Sequence, residues 1–116
     1  MSTQPKVPKK VYIIVNTQVI PIQKEVTTIG RKLESDLVIQ NNLISRSHAE
    51  IRFEDGKFVL YDLNSTSGTF INNKKIDKSV LNSGDQISLA NLPMTFINES
   101  DTLTKGADMK TGKLEE

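Results

Sequence analysis

The sequence predicts an all-β domain, a β-sandwich built from two mainly antiparallel sheets. Short runs rich in β-branched and aromatic residues follow one another at close spacing, with turn residues between them. Several runs alternate apolar and polar side chains, as strands with one buried face do. No segment of about ten residues repeats its apolar side chains with the 3.6-residue period of a helix. Together these observations indicate a β-sandwich.

Nine runs are predicted strands. In order they are Val11–Val15, Val19–Ile22, Val26–Ile29, Leu37–Ile39, Ala49–Phe53, Phe58–Leu63, Phe70–Ile71, Gln86–Leu89 and Met94–Ile97. Alternation supports the fifth run, where Ile51 and Phe53 alternate with the charged residues Glu50, Arg52 and Glu54. The dipeptide Asp55-Gly56 follows that run and predicts a two-residue hairpin, because both central residues of a type I′ turn need positive φ.

Length and composition divide the chain into one domain and two tails. At 116 residues it has the length of a single domain. Residues 1–10 are polar and basic, which predicts a flexible N-terminal tail, and residues 11–98 contain the predicted strands. Residues 99–116 are polar and lack aromatic side chains, which predicts a disordered C-terminal tail. Because the N-terminus lacks the apolar stretch of a signal peptide, we expect a cytoplasmic protein.

Composition argues against several classes of function. The chain has no cysteine and one histidine, so we expect no disulfide, no metal site and no cofactor. The formal net charge of +1 is too balanced for a nucleic-acid-binding protein. No apolar run approaches the roughly 20 residues of a membrane helix, so we expect no membrane contact. No acid–base pair is placed to activate a serine, which predicts a non-enzyme, and we expect a monomer.

Short hydroxyl and arginine side chains cluster where predicted strands end or begin. The segments are Gly30-Arg31, Ser45-Arg46-Ser47-His48 and Ser65-Thr66-Ser67-Gly68-Thr69. Displayed together on loops, such side chains suit an anion with three acceptor oxygens, and a phosphate on a protein is the expected ligand. The guanidinium of Arg31 offers a fork of donors that matches phosphate oxygens, whereas a lone arginine more often lies solvated on a surface.

Ser45 and His48 each allow two interpretations. A serine hydroxyl at position 45 can donate to an anion, or it can bond to nearby backbone as most loop serines do. The histidine invites a catalytic or metal-binding role. The favoured interpretation is that His48 ties neighbouring loops together by hydrogen bonds, as a lone histidine at the start of a strand commonly does.

The third segment is predicted to complete the site. Gly68 allows a turn with positive φ, and the hydroxyls of Thr66 and Ser67 can then point toward the same place as Arg31. Successive backbone N–H groups in such a turn also cradle anions. Asn72 is either an ordinary turn residue or holds two loops in register through bonds to backbone.

These segments together resemble the forkhead-associated (FHA) domain family. The shared pattern covers roughly residues 11–98 and comprises Gly30-Arg31, Leu37-Val38-Ile39, Ser45-Arg46-Ser47-His48-Ala49 and the run from Asp62 to Asn72. The resemblance implies about eleven short strands in a β-sandwich whose loops at one end bind phosphothreonine peptides. It implies a signalling adaptor whose partner is a Thr-phosphorylated protein. The alternative is that the same fold makes phosphate-independent protein contacts.

The resemblance also implies roles for individual residues. Phosphopeptide contacts are implied for Arg31 and Ser45 on the phosphate, for Thr66 beside them, and for Arg46 on the phosphate or the peptide. Shaping or bracing of the binding loops is implied for Gly30, His48, Gly68 and Asn72. Ser67 departs from the family, because many members carry an asparagine there whose amide bonds the peptide main chain. A serine has a shorter reach and one donor in place of two.

Overall fold

The computed structural model describes residues 7–100, which form eleven strands. They are β1 (Val11–Val15), β2 (Gln18–Pro21), β3 (Val26–Gly30), β4 (Leu37–Val38), β5 (Ala49–Glu54), β6 (Lys57–Asp62), β7 (Thr69–Ile71), β8 (Lys74–Ile76), β9 (Lys78–Val80), β10 (Gln86–Leu89) and β11 (Leu92–Asn98). Most residues of the two predicted tails fall outside this range. Within it, the structure has no helix with the length and apolarity needed to cross a membrane.

The strands form two sheets, which confirms the predicted β-sandwich. A six-stranded sheet has the order β2-β1-β11-β10-β7-β8, and a five-stranded sheet has the order β4-β3-β5-β6-β9. Every pair is antiparallel except β3 with β4, where Ile29 lies opposite Leu37 in a parallel register. The sheets are therefore mainly antiparallel, as the sequence predicts.

Alternating side chains from both sheets build one core. Ile13 and Phe96 of the six-stranded sheet and Leu60 of the five-stranded sheet are 0% exposed. The ring of Phe58 packs against Phe96 across the sandwich at 5.5 Å between centroids. Each such side chain contributes about 1.5–3 kcal/mol through the apolar surface that it buries. This rigid core holds the strand ends, and with them the loops, in fixed positions.

The turn between β5 and β6 matches its prediction, whereas two strands were missed. Asp55 and Gly56 have φ values of 51° and 79°, as a type I′ hairpin requires. The strands β8 and β9 were not among the nine predicted runs. Both are three residues long, lie at the edges of their sheets and are mostly exposed, so no buried apolar alternation marks them. Lysines on such edges disfavour pairing with other chains.

Strand register brings three loops to one end of the sandwich. In the five-stranded sheet Ile29 pairs with Ala49, and Ala49 pairs with Asp62. The segments that adjoin these residues are the β3–β4 loop (residues 31–36), the β4–β5 loop (39–48) and the β6–β7 loop (63–68). Neighbouring strands lie about 4.8 Å apart, so the three loops must be close. All three predicted site segments adjoin or lie on these loops.

Candidate functional site

Backbone contacts join the two loops that carry the arginines. The N–H of Arg31 donates to the carbonyl of Ser45 at 3.0 Å, and the N–H of Lys32 donates to the carbonyl of Arg46 at 3.2 Å. Gly30 permits this approach, since a Cβ at that position would lie 2.1 Å from the carbonyl oxygen of Arg46. Any larger residue would push the β3–β4 and β4–β5 loops apart. The resemblance implied that Gly30 shapes the loops, and the contact that requires a glycine here is with a residue distant in sequence.

The side chain of Arg31 is exposed and partly anchored. Its Nε donates to the carbonyl oxygen of Ile44 at 3.0 Å, which fixes the plane of the guanidinium. Among residues 7–100, neither a hydrogen bond nor an ion pair engages its two terminal nitrogens. Those nitrogens remain available as a two-pronged donor for a ligand. Arg46 is also exposed, and both arginines line the same open cleft.

Ser45 connects all three loops. Its carbonyl accepts from Arg31, and its Oγ accepts from the backbone N–H of Thr66 at 3.1 Å. Among residues 7–100 no acceptor engages the proton of this hydroxyl, so the proton can be donated to an anion. The structure thus shows the bond between Ser45 and backbone, and the hydroxyl remains a candidate donor for a ligand.

His48 is fully buried between the β4–β5 and β6–β7 loops. Its Nδ1 accepts from the N–H of Ser45 at 3.0 Å, and its Nε2 lies 2.9 Å from the carbonyl oxygen of Gly68. Its backbone N–H donates to the carbonyl of Ile29 at 3.0 Å, which ties the same residue to β3. These are the contacts that a loop-bracing histidine requires. No cluster of three or more possible metal ligands occurs among residues 7–100.

The β6–β7 loop is held by Asp62, a residue to which the sequence assigned no role. Its Oδ1 accepts from the hydroxyls of Ser65 at 2.5 Å and Thr69 at 2.6 Å, and its Oδ2 accepts from the N–H of Ser65 at 3.1 Å. The N–H of Gly68, which has a φ of 92°, donates to the Oγ of Ser65 at 3.0 Å. An aspartate at the start of a turn is a signal for bonds of this kind, because aspartate side chains commonly accept from nearby backbone N–H groups.

The hydrogen bonds to Asp62 also change its acidity. Burial alone raises the pKa of this carboxyl, but the bonds from Ser65 and Thr69 together outweigh burial, so the pKa of Asp62 is lowered. The carboxylate therefore stays charged and acts as a fixed acceptor beneath the loop. On the same loop, Thr66 is exposed and Ser67 is half-buried.

Asn72 lies away from the three loops. It follows β7, whereas Gly68 precedes that strand, so the two residues are at opposite ends of it. The side chain of Asn72 donates to Asp85 at 3.0 Å and accepts from the backbone N–H of Gln86 at 3.0 Å. Asn72 therefore holds the β7–β8 turn against the start of β10. The implied bracing takes place there, and not at the loops that carry the arginines.

The fold and these loops define the protein as a β-sandwich that presents cationic and hydroxyl side chains on the loops of one end. Residues 27–90 match the model of the FHA domain, and the chain belongs to this family. Both the predicted family and the predicted fold are confirmed. An FHA domain is a phosphothreonine-dependent interaction module.

Similar proteins are bacterial regulators. The oxoglutarate dehydrogenase inhibitor of Corynebacterium diphtheriae is 37% identical over 76 residues, which cover 66% of this chain and 53% of that protein. The glycogen accumulation regulator GarA of Mycolicibacterium smegmatis is 33% identical over 76 residues, which cover 66% of this chain and 48% of that protein. The chain thus spans about half the length of the curated relatives that it matches.

Solved structures show the same fold. One FHA domain, studied for its phosphothreonine-dependent interactions, superimposes with a TM-score of 0.72 and 27% identity, covering 76% of this chain and 95% of that one. EmbR of Mycobacterium tuberculosis, solved with a low-affinity phosphopeptide, gives a TM-score of 0.73 and 30% identity, covering 75% of this chain and 24% of that one.

Proposed function

We propose that the protein recognises Thr-phosphorylated proteins through the β3–β4, β4–β5 and β6–β7 loops and acts as a non-catalytic adaptor. The observation that carries this proposal is the position of Ser45, which bonds to Arg31 on one side and to Thr66 on the other. The backbones of three loops are thereby held together at Ser45, and side-chain donors of Arg31, Ser45 and Thr66 are left for a ligand. Such preorganisation favours binding, because little conformational entropy remains to be lost.

The chemistry of these donors suits a phosphate. A phosphothreonine carries a charge of about −1.5 to −2 near neutral pH and three acceptor oxygens. In the proposed complex the terminal nitrogens of Arg31 bind two of those oxygens, and the hydroxyls of Ser45 and Thr66 donate to the phosphate. Arg46 lies beside them and contacts the phosphate or the peptide. Ser67 faces the peptide main chain.

The rest of the site is proposed to shape the loops. Gly30 lets Arg46 approach, Gly68 supplies the turn, and His48 joins the loops to β3. The domain boundaries proposed for this function are residues 11–98. The protein is proposed to work as a monomer without metal, cofactor, nucleic acid or membrane. Since the relatives are an enzyme inhibitor and a metabolic regulator by name, we propose a regulatory role here as well.

Calorimetry with phosphothreonine peptides tests the proposal directly. An oriented peptide library selects a ligand, and the selected peptide is titrated into the protein before and after treatment with a phosphatase. Loss of binding on dephosphorylation supports the proposal. Binding that survives dephosphorylation contradicts it and favours phosphate-independent contacts. Incubating the phosphopeptide with the protein and measuring free phosphate checks that no hydrolysis occurs.

A further inference from the structure

A cavity of about 200 Å³ opens on the side of the sandwich where the edge strands β2 and β4 lie. It lies between the two sheets, because its lining comes from β1 and β2 of the six-stranded sheet and from β3 and β4 of the five-stranded sheet. Arg31, Ser45 and Thr66 do not line it, so it is separate from the proposed phosphate site. The proposed function makes no use of it.

The wall of the cavity is mostly apolar. Branched aliphatic side chains make up most of it, namely Ile13, Ile20, Ile22, Ile29 and Leu37. All of them are buried except Ile20, which is half-buried at the edge of its sheet. A dry cavity of about 150 Å³ with walls of this kind can hold a molecule of the size of benzene. The wall therefore favours a ligand whose body is one ring or a branched hydrocarbon of similar size.

One polar group interrupts this wall. Thr27 is 6% exposed, and among residues 7–100 no hydrogen bond engages its hydroxyl. Within the same residues, Oγ of Ser35 is the one fully enclosed side-chain oxygen or nitrogen without a partner, so the hydroxyl of Thr27 must border free space. Because the side chain of Thr27 lies on the buried face of β3 and lines the cavity, that space is the cavity. A ligand with one donor or acceptor would remove the cost of this unpaired hydroxyl.

The other polar side chains of the lining lie at the mouth and leave no net charge there. Gln23 is exposed, and Lys24 and Asp36 form an ion pair at 2.7 Å. A buried water usually makes about two to four hydrogen bonds, so Thr27 alone makes a poor water site. The ion pair narrows the entrance, because Lys24 precedes β3 and Asp36 precedes β4. A free, uncharged small molecule fits such a cavity better than an ion or a side chain attached to a main chain.

We propose that this cavity binds a free, neutral small molecule that has an apolar body of about the size of a benzene ring and one hydroxyl or carbonyl group. The body packs against Ile13, Ile29 and Leu37, and the polar group forms a hydrogen bond with the hydroxyl of Thr27. Phenols and aromatic alcohols have this chemistry. The site is apart from the three loops, so the inference goes beyond the proposed function and does not depend on it.

Titration of the full chain with phenol and with benzene tests the proposal. The two probes differ by one hydroxyl group, and NMR spectra of the isotope-labelled protein report which residues each probe reaches. Both titrations are expected to saturate, with the shift changes centred on the residues of the cavity wall. Phenol should bind about two- to tenfold more tightly than benzene, as one net hydrogen bond allows.

Three variants locate the site. Thr27→Val keeps the shape of the side chain and removes its hydroxyl, so the advantage of phenol over benzene should disappear. Ile20→Phe adds bulk to the half-buried edge of the wall and should abolish the binding of both probes. Val19→Phe adds bulk on the same strand, but Val19 is 58% exposed and does not line the cavity, so binding should be unchanged.

Several results would overturn the proposal. If neither probe causes saturable shift changes at the cavity wall up to its solubility limit, the cavity is not a ligand site. Equal affinities for the two probes, or an advantage of phenol that persists in Thr27→Val, would contradict the role of the hydroxyl. Binding that is equally strong in Ile20→Phe and Val19→Phe would place the probes elsewhere. A blocked tripeptide with a central tyrosine that binds more tightly than phenol would assign the cavity to a side chain of a partner protein.

Discussion

The backbone N–H of Ser45 donates to Nδ1 of His48 at 3.0 Å, and this bond fixes the tautomer of the imidazole. Because Nδ1 accepts, the ring proton lies on Nε2, which donates to the carbonyl of Gly68 at 2.9 Å. A single side chain with no exposed surface therefore sets the distance between two of the three loops. Ser45, which is proposed to contact the ligand, is therefore positioned by His48, a residue that is buried.

The first prediction is that Arg31→Ala removes phosphopeptide binding and leaves the fold intact. Charge-assisted hydrogen bonds contribute about 1.5–3 kcal/mol each, so affinity should fall at least ten- to a hundredfold in calorimetry. The side chain is exposed, and its one hydrogen bond within residues 7–100 is to the carbonyl of Ile44, so the melting temperature should change little. Arg31→Lys keeps the charge and should restore only part of the affinity. Unchanged affinity in Arg31→Ala would exclude Arg31 from the site.

A second prediction concerns His48→Ala. The substitution leaves the N–H of Ser45 and the carbonyl of Gly68 without their partner in the interior. Each unpaired buried group costs about 1–3 kcal/mol, so the free energy of unfolding should fall by at least about 2 kcal/mol. Chemical denaturation measures this loss, and calorimetry on the fraction that remains folded should show weaker phosphopeptide binding. A variant as stable as the parent protein would mean that His48 does not brace the loops.

Third, Ser67→Asn should tighten phosphopeptide binding. Ser67 is half-buried beside the proposed phosphate site, and the longer amide can reach the peptide main chain with two donors. One net hydrogen bond contributes about 1 kcal/mol, which corresponds to about fivefold in affinity. Titration of both proteins with one peptide measures the change. Unchanged or weaker binding would indicate that a bridging water already fills this role or that Ser67 fits its own ligand.

A fourth prediction follows from the lowered pKa of Asp62. Its carboxylate is stabilised in the folded state relative to the usual value of 3.8, so it adds stability above that pH and loses it as the pH falls through the lowered pKa. Asp62→Asn should therefore be destabilised at neutral pH, and its deficit should shrink in acid. Denaturant unfolding of both proteins at about pH 7 and about pH 3 measures this difference. A deficit independent of pH would show that charge on Asp62 is irrelevant to the β6–β7 loop.

The fifth prediction is a preference for phosphothreonine over phosphoserine. If the extra methyl group is buried on binding, it contributes about 0.8 kcal/mol, or about fourfold in affinity. Matched peptides that differ only in this methyl group provide the comparison in one titration series. Equal affinities would show that the methyl group stays in solvent.

Strands with one buried and one exposed face were predicted from the sequence, because burial gives them an alternating pattern. Strands that bury little were missed. Runs such as Ala49–Phe53 alternate because one face meets the core, and the Asp55-Gly56 turn is specified by its own two residues. The edge strands β8 and β9 carry exposed lysines and bury little, so their pairing depends on neighbours that a local pattern does not include.

The site was predicted in the same uneven way. Loop position followed from the strands, and the arginine and hydroxyl side chains were recognisable by their chemistry. The contact of Gly30 with the carbonyl of Arg46 was not visible, because it joins residues whose distance is set only by strand register. The partners of Asn72 were not predictable either, because its bonds to Asp85 and to the N–H of Gln86 join segments that only the pairing of β7 with β10 brings together.

Because of the close approach of Gly30 to the backbone of Arg46, the relative position of the two arginine loops does not depend on their exposed side chains. Main-chain atoms bring the two arginine loops together, so the identity of the side chains at the loop tips hardly affects that junction. Residues such as Leu33 and Asn42 can then be exchanged without moving the guanidinium of Arg31. After gene duplication, a copy of this domain could thus bind different protein partners through changes at a few surface positions. The residues proposed to bind phosphate would stay the same. Retargeting this domain by design would start from those same positions and leave the glycine untouched.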